Sequence, residues 1–144
     1  FGNHSPTMFP DLENTNINGQ NAYSLINNHS WVENEYLPRI QQRGAEIIKA
    51  RGASSASSAA RAACDTVKAV EHPTRSGDVF NAAILSDGAY GMPEGIFSGF
   101  PLISDGNGSV EIVRDFNLSE FAKSKLKITA NELLEEKNFV KDLI

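Results

Sequence analysis

The turn segment Asp105-Gly106-Asn107-Gly108 constrains the fold of this chain more than any other stretch. Strand-like residues 97–103 precede this segment, and residues 110–113 follow it. A tight turn of Asp, Asn and Gly between two such runs predicts a hairpin, whose strands are antiparallel neighbours. Residues 79–85 have the composition of an earlier strand, and residues 86–93 form the loop between that strand and the hairpin. We therefore expect a largely antiparallel sheet.

A long helix is predicted from Ser30 to about Arg51. Ser30 and Glu33 have the spacing of a capping box, in which the two side chains satisfy free N–H groups at a helix start. Gly52, which directly follows basic residues, is typical of a helix end. Pro38 is either tolerated near the start of the helix or marks a kink after a first irregular turn.

Residues 53–64 are mostly serine and alanine, a composition that can also indicate a flexible linker. Only one glycine lies at the edge of this segment, alanine is the best helix former, and Ser54 or Ser55 can cap a helix that begins there. We therefore predict a second helix from about Ser55 to Val70. The lone Cys64 in it is interpreted as a buried structural thiol, which fits a reducing compartment.

The remaining signals mark the two ends of the chain. Asn18-Gly19 predicts a short β-hairpin. Ser119 is the predicted cap of a final helix to about Leu143, with Glu132 on its outward polar side and Phe139 on its apolar side. The order of hairpin, two helices, antiparallel meander and terminal helix predicts an α+β fold, in which an antiparallel sheet packs with long helices.

Length and charge exclude several classes of function. The chain has 144 residues, about the length of one domain, and a formal net charge of −5 with its basic residues scattered. This argues against nucleic acid as a partner. No window approaches the ~20 apolar residues of a membrane span, so we expect a soluble protein without a membrane partner. Its three histidines are too separated for a metal signature, and no metal site is predicted.

His4 is the first candidate for chemistry. It follows Gly2-Asn3 and precedes Ser5-Pro6, and the proline pushes Ser5 toward an extended conformation at a turn. A loop at a strand end is a common place for reactive groups. Because imidazole exchanges protons near neutral pH, this histidine could act as a general acid and base. The competing interpretation is a surface-loop histidine without a function.

Several blocks carry a resemblance to a known family. In their order and spacing they are similar to the C-terminal half of a cytosolic-type malate dehydrogenase of the lactate/malate dehydrogenase superfamily. The resemblance covers essentially all of the chain and implies that a Rossmann domain precedes Phe1 in the full-length protein, so that residues 1–144 form its substrate-binding C-terminal domain. The blocks are Gly2-Asn3-His4-Ser5, Gln41-Gln42-Arg43-Gly44, Ser54-Ser55-Ala56, Ser86-Asp87-Gly88 and Thr129-Ala130-Asn131-Glu132-Leu133.

The resemblance also implies roles for individual residues. His4 matches the histidine that takes the C2 hydroxyl proton of malate while hydride passes to NAD, and returns it when oxaloacetate is reduced. An aspartate that orients the imidazole, and arginines that bind the substrate carboxylates, are expected upstream of Phe1. Ser54 matches a position beside the substrate, and Ser58 one that faces the nicotinamide. Two simpler roles stay open, with Ser54 as an N-cap and Ser58 as a small residue that permits helix packing.

Partners and location follow from the same resemblance. It implies malate and oxaloacetate as substrates, NAD bound mainly by the upstream domain, and a cytoplasmic homodimer that associates through the helices around residues 36–48 and 55–70. The chain by itself is then expected to be inactive. Two alternatives stay open: a domain of a lactate dehydrogenase-type 2-hydroxy acid dehydrogenase, and a free-standing, non-catalytic dimerisation module.

Overall fold

The computed structural model describes residues 1–143, and the α+β class predicted from the sequence is confirmed. A π-helical turn, Val32–Tyr36, separates two of the helices, and a short 3₁₀ turn, Ala89–Gly91, precedes the second strand of the main sheet. Within residues 1–143 no helix is both long enough and apolar enough to cross a membrane. The regular elements are β1 (Asn16–Ile17), β2 (Gln20–Asn21), α1 (Ala22–Ile26), α2 (His29–Trp31), α3 (Leu37–Arg51), α4 (Ala56–Glu71), β3 (Phe80–Leu85), β4 (Phe97–Ser104), β5 (Val110–Ile112) and α5 (Glu120–Phe139).

The main sheet is antiparallel, in the order β3-β4-β5. Leu102 of β4 pairs with Phe80 on one side and with Ile112 on the other. Gly106 and Gly108, in the turn between β4 and β5, have φ angles of 82° and 87°, a region that favours glycine. The predicted hairpin is confirmed because its turn residues have the backbone freedom that the turn requires.

The predicted N-terminal hairpin is also confirmed. Asn18 and Gly19 connect β1 to β2, and both have positive φ angles, of 52° and 79°. Two consecutive positive φ angles are the mark of the tight hairpin turn that Asn-Gly favours.

Two apolar clusters meet at helix α5. The first lies between α5 and the sheet, where Phe100 and Leu102 of β4 are fully buried. The second lies between the first half of α5 and the N-terminal part of the chain, and it contains Phe9 and Leu37. Phe1 packs against both clusters. Helix α5 therefore connects the sheet to the segment that carries His4.

The start of the long helix differs from its prediction. Asn28, rather than Ser30, is the cap: its Oδ1 accepts a hydrogen bond from the Trp31 N–H at 3.0 Å, and Ser30 lies inside α2. Asn28 precedes the first helical residue, and an Asn side chain caps as well as a Ser does. The π-helical turn lies directly before α3, whose second residue is Pro38. Pro38 thus lies near the start of α3, where a proline is tolerated, and directly after an irregular turn.

The end of α3 agrees with its prediction. Gly52 has a φ angle of 72°, and its N–H donates to the Ile48 carbonyl at 2.8 Å. This backbone conformation ends the helix after Arg51 and satisfies one of its last carbonyl groups.

Helix α4 confirms the helix predicted for the serine- and alanine-rich segment but corrects two details. Ser55, not Ser54, occupies the N-cap position, so a cap is not the role of Ser54. Cys64 is exposed, and the prediction of a buried thiol is wrong. No residue of α4 is buried. The helix is joined to the sheet near its C-terminal end, where the Ser104 hydroxyl donates to the Val70 carbonyl at 2.6 Å.

Helix α5 begins as predicted and ends earlier. The Ser119 Oγ accepts a hydrogen bond from the Ala122 N–H at 3.1 Å, as a cap does. The helix ends at Phe139 rather than near Leu143, because the backbone leaves the helical conformation at Val140, with a ψ angle of 6°. Phe139 is 91% exposed, so its assignment to the apolar side is wrong.

Two glycines of the β4–β5 turn offer a matched test of this packing. A Cβ on Gly106 would lie 2.5 Å from the Pro73 Cδ, whereas a Cβ on Gly108 would have no described atom within 4 Å. Both positions impose the strain of a positive φ, about 1–2 kcal/mol. We expect Gly108→Ala to lower the free energy of unfolding by that amount and Gly106→Ala by about 2–5 kcal/mol, measured by urea denaturation. Equal losses would contradict the close contact with Pro73.

Candidate functional site

The loop that carries His4 is fixed to the sheet on its N-terminal side. Gly2 and Gly99 exchange two backbone hydrogen bonds, of 3.1 Å and 2.9 Å, which join the loop to β4. Gly2 has a φ angle of 94°, and a Cβ there would lie 2.5 Å from the Thr129 Cγ2. Only glycine fits at this point, so the position just before Asn3-His4 is set by the β4 backbone on one side and the Thr129 side chain of α5 on the other.

The same loop is tied to α5 on both sides of His4. Before His4, the Asn3 N–H donates to the Thr129 Oγ1 at 2.9 Å. After it, the hydroxyl groups of Ser5 and Thr7 each donate to the Glu132 Oε2 at 2.5 Å. These bonds join segments that are far apart in sequence, and they hold the backbone of His4 between them.

Glu132 is therefore misassigned by the sequence pattern, which predicted that it points outward. Burial raises the pKa of its carboxyl group, but hydrogen bonds from Ser5, Thr7 and Asn3 act in the opposite direction, and the pKa lies below its usual range. A carboxylate that accepts several hydrogen bonds is stabilised in its ionised form. Glu132 is thus a negative charge held against the His4 loop at neutral pH.

His4 lies at the edge of an open cleft with a volume of about 330 Å³. The His4 side chain is exposed, and within residues 1–143 its imidazole makes no hydrogen bond, so both ring nitrogens can meet a ligand. Most of the wall is apolar, and the exposed side chain of Asn81 on β3 adds a polar group. The residues that line the cleft with His4 include Met8, Phe9, Pro10, Asn81, Ala83 and Gly99.

One side of the cleft is also connected to helix α3. The Gln41 side chain donates from Nε2 to the carbonyl oxygen of Met8 at 2.9 Å. Met8 follows the His4 loop directly, and its N–H donates to the Ser5 carbonyl at 3.1 Å. Gln41 thereby gives the Gln41-Gln42-Arg43-Gly44 block a structural link to the loop.

Ser54 and Ser58 lie near the start of α4, and both are exposed. Neither is among the described residues that line the cleft beside His4. The Ser58 hydroxyl donates to the Ser55 carbonyl oxygen at 3.0 Å. The Ser58 Oγ can therefore still accept a hydrogen bond from the solvent side. The Ser54 carbonyl accepts from the Arg51 guanidinium at 2.6 Å and leaves the Ser54 hydroxyl exposed.

Sequence reasoning missed three residues of this site, namely Asn81, Thr129 and Glu132. Asn81 was visible as a polar residue in the middle of an otherwise apolar strand. Thr129 and Glu132 are three apart on one helix and therefore share a face. No local pattern, however, says that this face meets the His4 loop. Among residues 1–143, no three His, Cys, Asp or Glu side chains are grouped as a metal site would require.

Comparison with known proteins identifies relatives along the whole chain. Residues 1–144 match the family described as lactate/malate dehydrogenase, alpha/beta C-terminal domain. The chain is 49% identical over 143 residues to a malate dehydrogenase of Rubrobacter xylanophilus, which covers 99% of this chain and 43% of the relative. It is 45% identical over 144 residues to a malate dehydrogenase of Magnetococcus marinus, with 100% and 44% covered.

Solved structures agree with these matches. A malate dehydrogenase of Naegleria fowleri has a TM-score of 0.90 at 40% identity, and the match covers 99% of this chain and 44% of that one. A lactate dehydrogenase of Trichomonas vaginalis, in complex with NADH and oxamate, has a TM-score of 0.89 at 28% identity, with 98% and 44% covered. The chain thus spans less than half the length of the relatives that it matches.

The charge on Glu132 predicts a pH dependence of stability. Its pKa is lower in the folded than in the unfolded protein, so its contribution is fully present above the unfolded value of about 4.3 and is lost as the pH falls through the folded value. We expect Glu132→Gln to lower the free energy of unfolding at pH 7, because the amide keeps the size of the side chain but loses the charge. The difference from the unmodified protein should shrink as the pH falls below the unfolded value and disappear once the carboxyl group of the folded protein is protonated.

The measurement is urea denaturation of both proteins at pH 7 and at a series of lower pH values. Glu135→Gln is the matched control, because Glu135 is exposed on the same helix, and it should leave stability unchanged. A Glu132→Gln protein as stable as the unmodified one at pH 7 would contradict the stabilising role of the carboxylate.

Proposed function

This chain belongs to the lactate/malate dehydrogenase family, and from that premise we propose that it is the substrate-binding half of an NAD-dependent enzyme that interconverts malate and oxaloacetate. The observation that carries the proposal is the setting of His4. Its imidazole is exposed at the edge of an open cleft, while its backbone is fixed to β4 and α5. Three relatives that are 45–49% identical to this chain are named malate dehydrogenase, which supports malate as the substrate.

In this proposal His4 moves one proton. One of its ring nitrogens accepts the proton of the substrate C2 hydroxyl during oxidation and returns it during reduction. The ring then carries a positive charge, which an ionised carboxylate at its other nitrogen would stabilise. We expect that carboxylate in the segment upstream of Phe1, together with the arginines that bind the carboxylates of the substrate.

The described residues fit part of an NAD molecule. Most of the wall of the cleft is apolar, which suits the face of a flat ring. Ser58 can accept a hydrogen bond from a carboxamide group, because its own proton is given to Ser55. The sequence has no glycine-rich phosphate loop, and we assign the pyrophosphate to the upstream domain. Bound NAD would supply the hydride acceptor.

Ser54 is proposed as a substrate-side residue. Ser54 is exposed, and its neighbour Ser55 occupies the N-cap position of helix α4. An exposed hydroxyl that does not cap a helix can bond to a carboxylate or hydroxyl of a ligand. Substrate and the upstream domain would then occupy the space between α4 and the cleft.

Two alternatives compete with this proposal. A lactate dehydrogenase-type enzyme is favoured by the match to the Trichomonas vaginalis protein, which binds NADH and oxamate. That relative is 28% identical, below the malate dehydrogenases of Rubrobacter xylanophilus at 49% and Naegleria fowleri at 40%. A non-catalytic dimerisation module would keep the fold and need no ligand in the cleft, but it leaves the exposed, rigidly held His4 without a purpose.

We further propose that the full-length protein is a cytoplasmic homodimer. Helices α3 and α4 display apolar side chains to solvent, with Ile48 53% and Val67 62% exposed. On α4, Ala60, Ala63, Cys64 and Val67 have the spacing of one helix face, and all of them are exposed. Apolar helix faces of this length indicate association with another protein surface. The single thiol of Cys64 is compatible with a reducing compartment.

Replacement of His4 tests the catalytic role. In the full-length protein, His4→Asn should lower oxaloacetate-dependent NADH oxidation by about 100-fold or more, because a general acid and base is lost. His72→Asn is the matched control, since His72 is exposed at the C-terminal end of α4. Residues 1–144 alone should give no turnover. Full activity of His4→Asn would refute the assignment, and a preference for pyruvate over oxaloacetate would favour the lactate dehydrogenase alternative.

A charge on α4 tests the homodimer. Val67→Glu should convert the full-length protein from dimer to monomer, because an unpaired carboxylate cannot be buried in an apolar interface. Size-exclusion chromatography with light scattering measures the mass. The neighbouring replacement Lys68→Gln is the control and should leave the dimer intact. A dimer that survives Val67→Glu would place the contact elsewhere.

A further inference from the structure

We propose that Glu132 is a positioning residue for His4, which sets the orientation of the catalytic loop without touching the substrate. This inference rests on the proposed function, because it assumes that His4 carries the proton. Glu132 lies on α5, and 127 positions separate it from Ser5. Its role would be to fix, from a distant part of the chain, the place at which the imidazole enters the cleft.

The contacts of Glu132 concentrate on one oxygen atom. Its Oε2 accepts hydrogen bonds from the Ser5 Oγ and the Thr7 Oγ1, both at 2.5 Å. The Asn3 side chain donates to the same oxygen at 3.3 Å and to the Glu136 Oε1 at 2.8 Å. The donors come from both sides of His4. A carboxylate bonded to both sides restricts rotation of the loop more than one bonded to a single side.

The number of hydrogen-bond donors in the loop explains why the acceptor is a carboxylate. The Ser5 and Thr7 hydroxyls each have one proton, both lie 2.5 Å from the Glu132 Oε2, and they are 2.9 Å from each other. The Thr7 hydroxyl also donates toward the Thr129 Oγ1 at 2.9 Å, so its one proton has two acceptors on α5. Thr129 in turn accepts the Asn3 N–H at 2.9 Å. Donors from the loop therefore converge on Thr129 and on Glu132, and of these two only the Glu132 carboxylate has no proton to donate.

The side chains in these hydrogen bonds are largely shielded from water. Thr129 is fully buried, and Glu132 is half-buried at the contact with the loop. Ser5 and Thr7 are also only partly exposed, so each hydroxyl that lost its partner would be left poorly hydrated. The imidazole of His4 takes no part in these bonds. Its backbone is thus fixed while both ring nitrogens stay free for the reaction, which is the arrangement that pre-organised catalysis needs.

The test uses the full-length enzyme and three substitutions at two positions. Glu132→Ala removes the acceptor and should lower kcat about 10–100-fold, because a displaced catalytic group loses alignment with the substrate. The KM for NADH should stay within about twofold, since cofactor contacts are unchanged. Glu132→Gln offers an amide oxygen to the same hydroxyls and should recover kcat to within about fivefold of the unmodified enzyme. Glu135→Gln, an exposed position on the same helix, is the control with unchanged kcat.

Two further measurements separate positioning from general loss of structure. With NADH deuterated at the transferred hydrogen, the isotope effect on kcat should rise in Glu132→Ala, because a misplaced proton donor makes the chemical step slower than product release. Amide hydrogen exchange of the peptide that contains His4 should accelerate in the same variant, while exchange in the β4 peptide should not change. If Glu132→Ala does not fold, the double variant Ser5→Ala, Thr7→Val removes the two donors instead and is expected to give the same kcat, isotope effect and exchange pattern.

The outcomes distinguish this inference from the proposed function. An unchanged kcat in Glu132→Ala, in an enzyme that His4→Asn inactivates, would overturn the role of Glu132 and leave the function of His4 standing. A fully active His4→Asn would instead overturn the proposed function, and with it the role of Glu132 in catalysis. A Glu132→Gln enzyme as impaired as Glu132→Ala would also overturn the inference as stated, because the amide retains the acceptor.

Discussion

The close contact of Gly2 with the β4 backbone and the Thr129 side chain is the constraint on which the site depends. Gly2 bonds to Gly99 of β4 and contacts Thr129 of α5, where no Cβ fits. The contact joins the sheet, the terminal helix and the N-terminal loop at one point. Because Thr129 then accepts the next backbone N–H, that of Asn3, the loop leaves this point in one direction. The exposure of His4 at the cleft is a result of that direction.

The parts of the fold that could be predicted from sequence are those that local chemistry determines. The two hairpins depend on Asn and Gly residues that accept positive φ angles, and the end of α3 depends on Gly52 in the same way. Burial was harder to predict, because it depends on elements far away in sequence. Cys64 lies in a helix of small residues, which says nothing about whether another surface covers it. Asn28 displaced Ser30 as a cap because several residues in that segment can serve equally well.

In the candidate site, too, the residues marked by local sequence could be predicted and those set by distant contacts could not. His4 was identifiable because its neighbours Gly2, Asn3 and Pro6 describe a loop at a strand end, and because the surrounding blocks resemble a known family. Glu132 was assigned to solvent because its helix position is polar in a pattern that counts only neighbours three and four residues away. Its partners lie at the other end of the chain, and their hydroxyl groups are not recognisable as ligands of a carboxylate before the fold brings them together.

The exposure of helix α4 affects how this segment becomes ordered. It contains 16 residues, none of which is buried, and a helix of that length is only marginally stable in water without packing. Its order is therefore a property that other surfaces must supply. In the proposed homodimer, the ordering of this segment and the association of the subunits would be a single cooperative event, in which conformational entropy is lost only when the partner surface arrives.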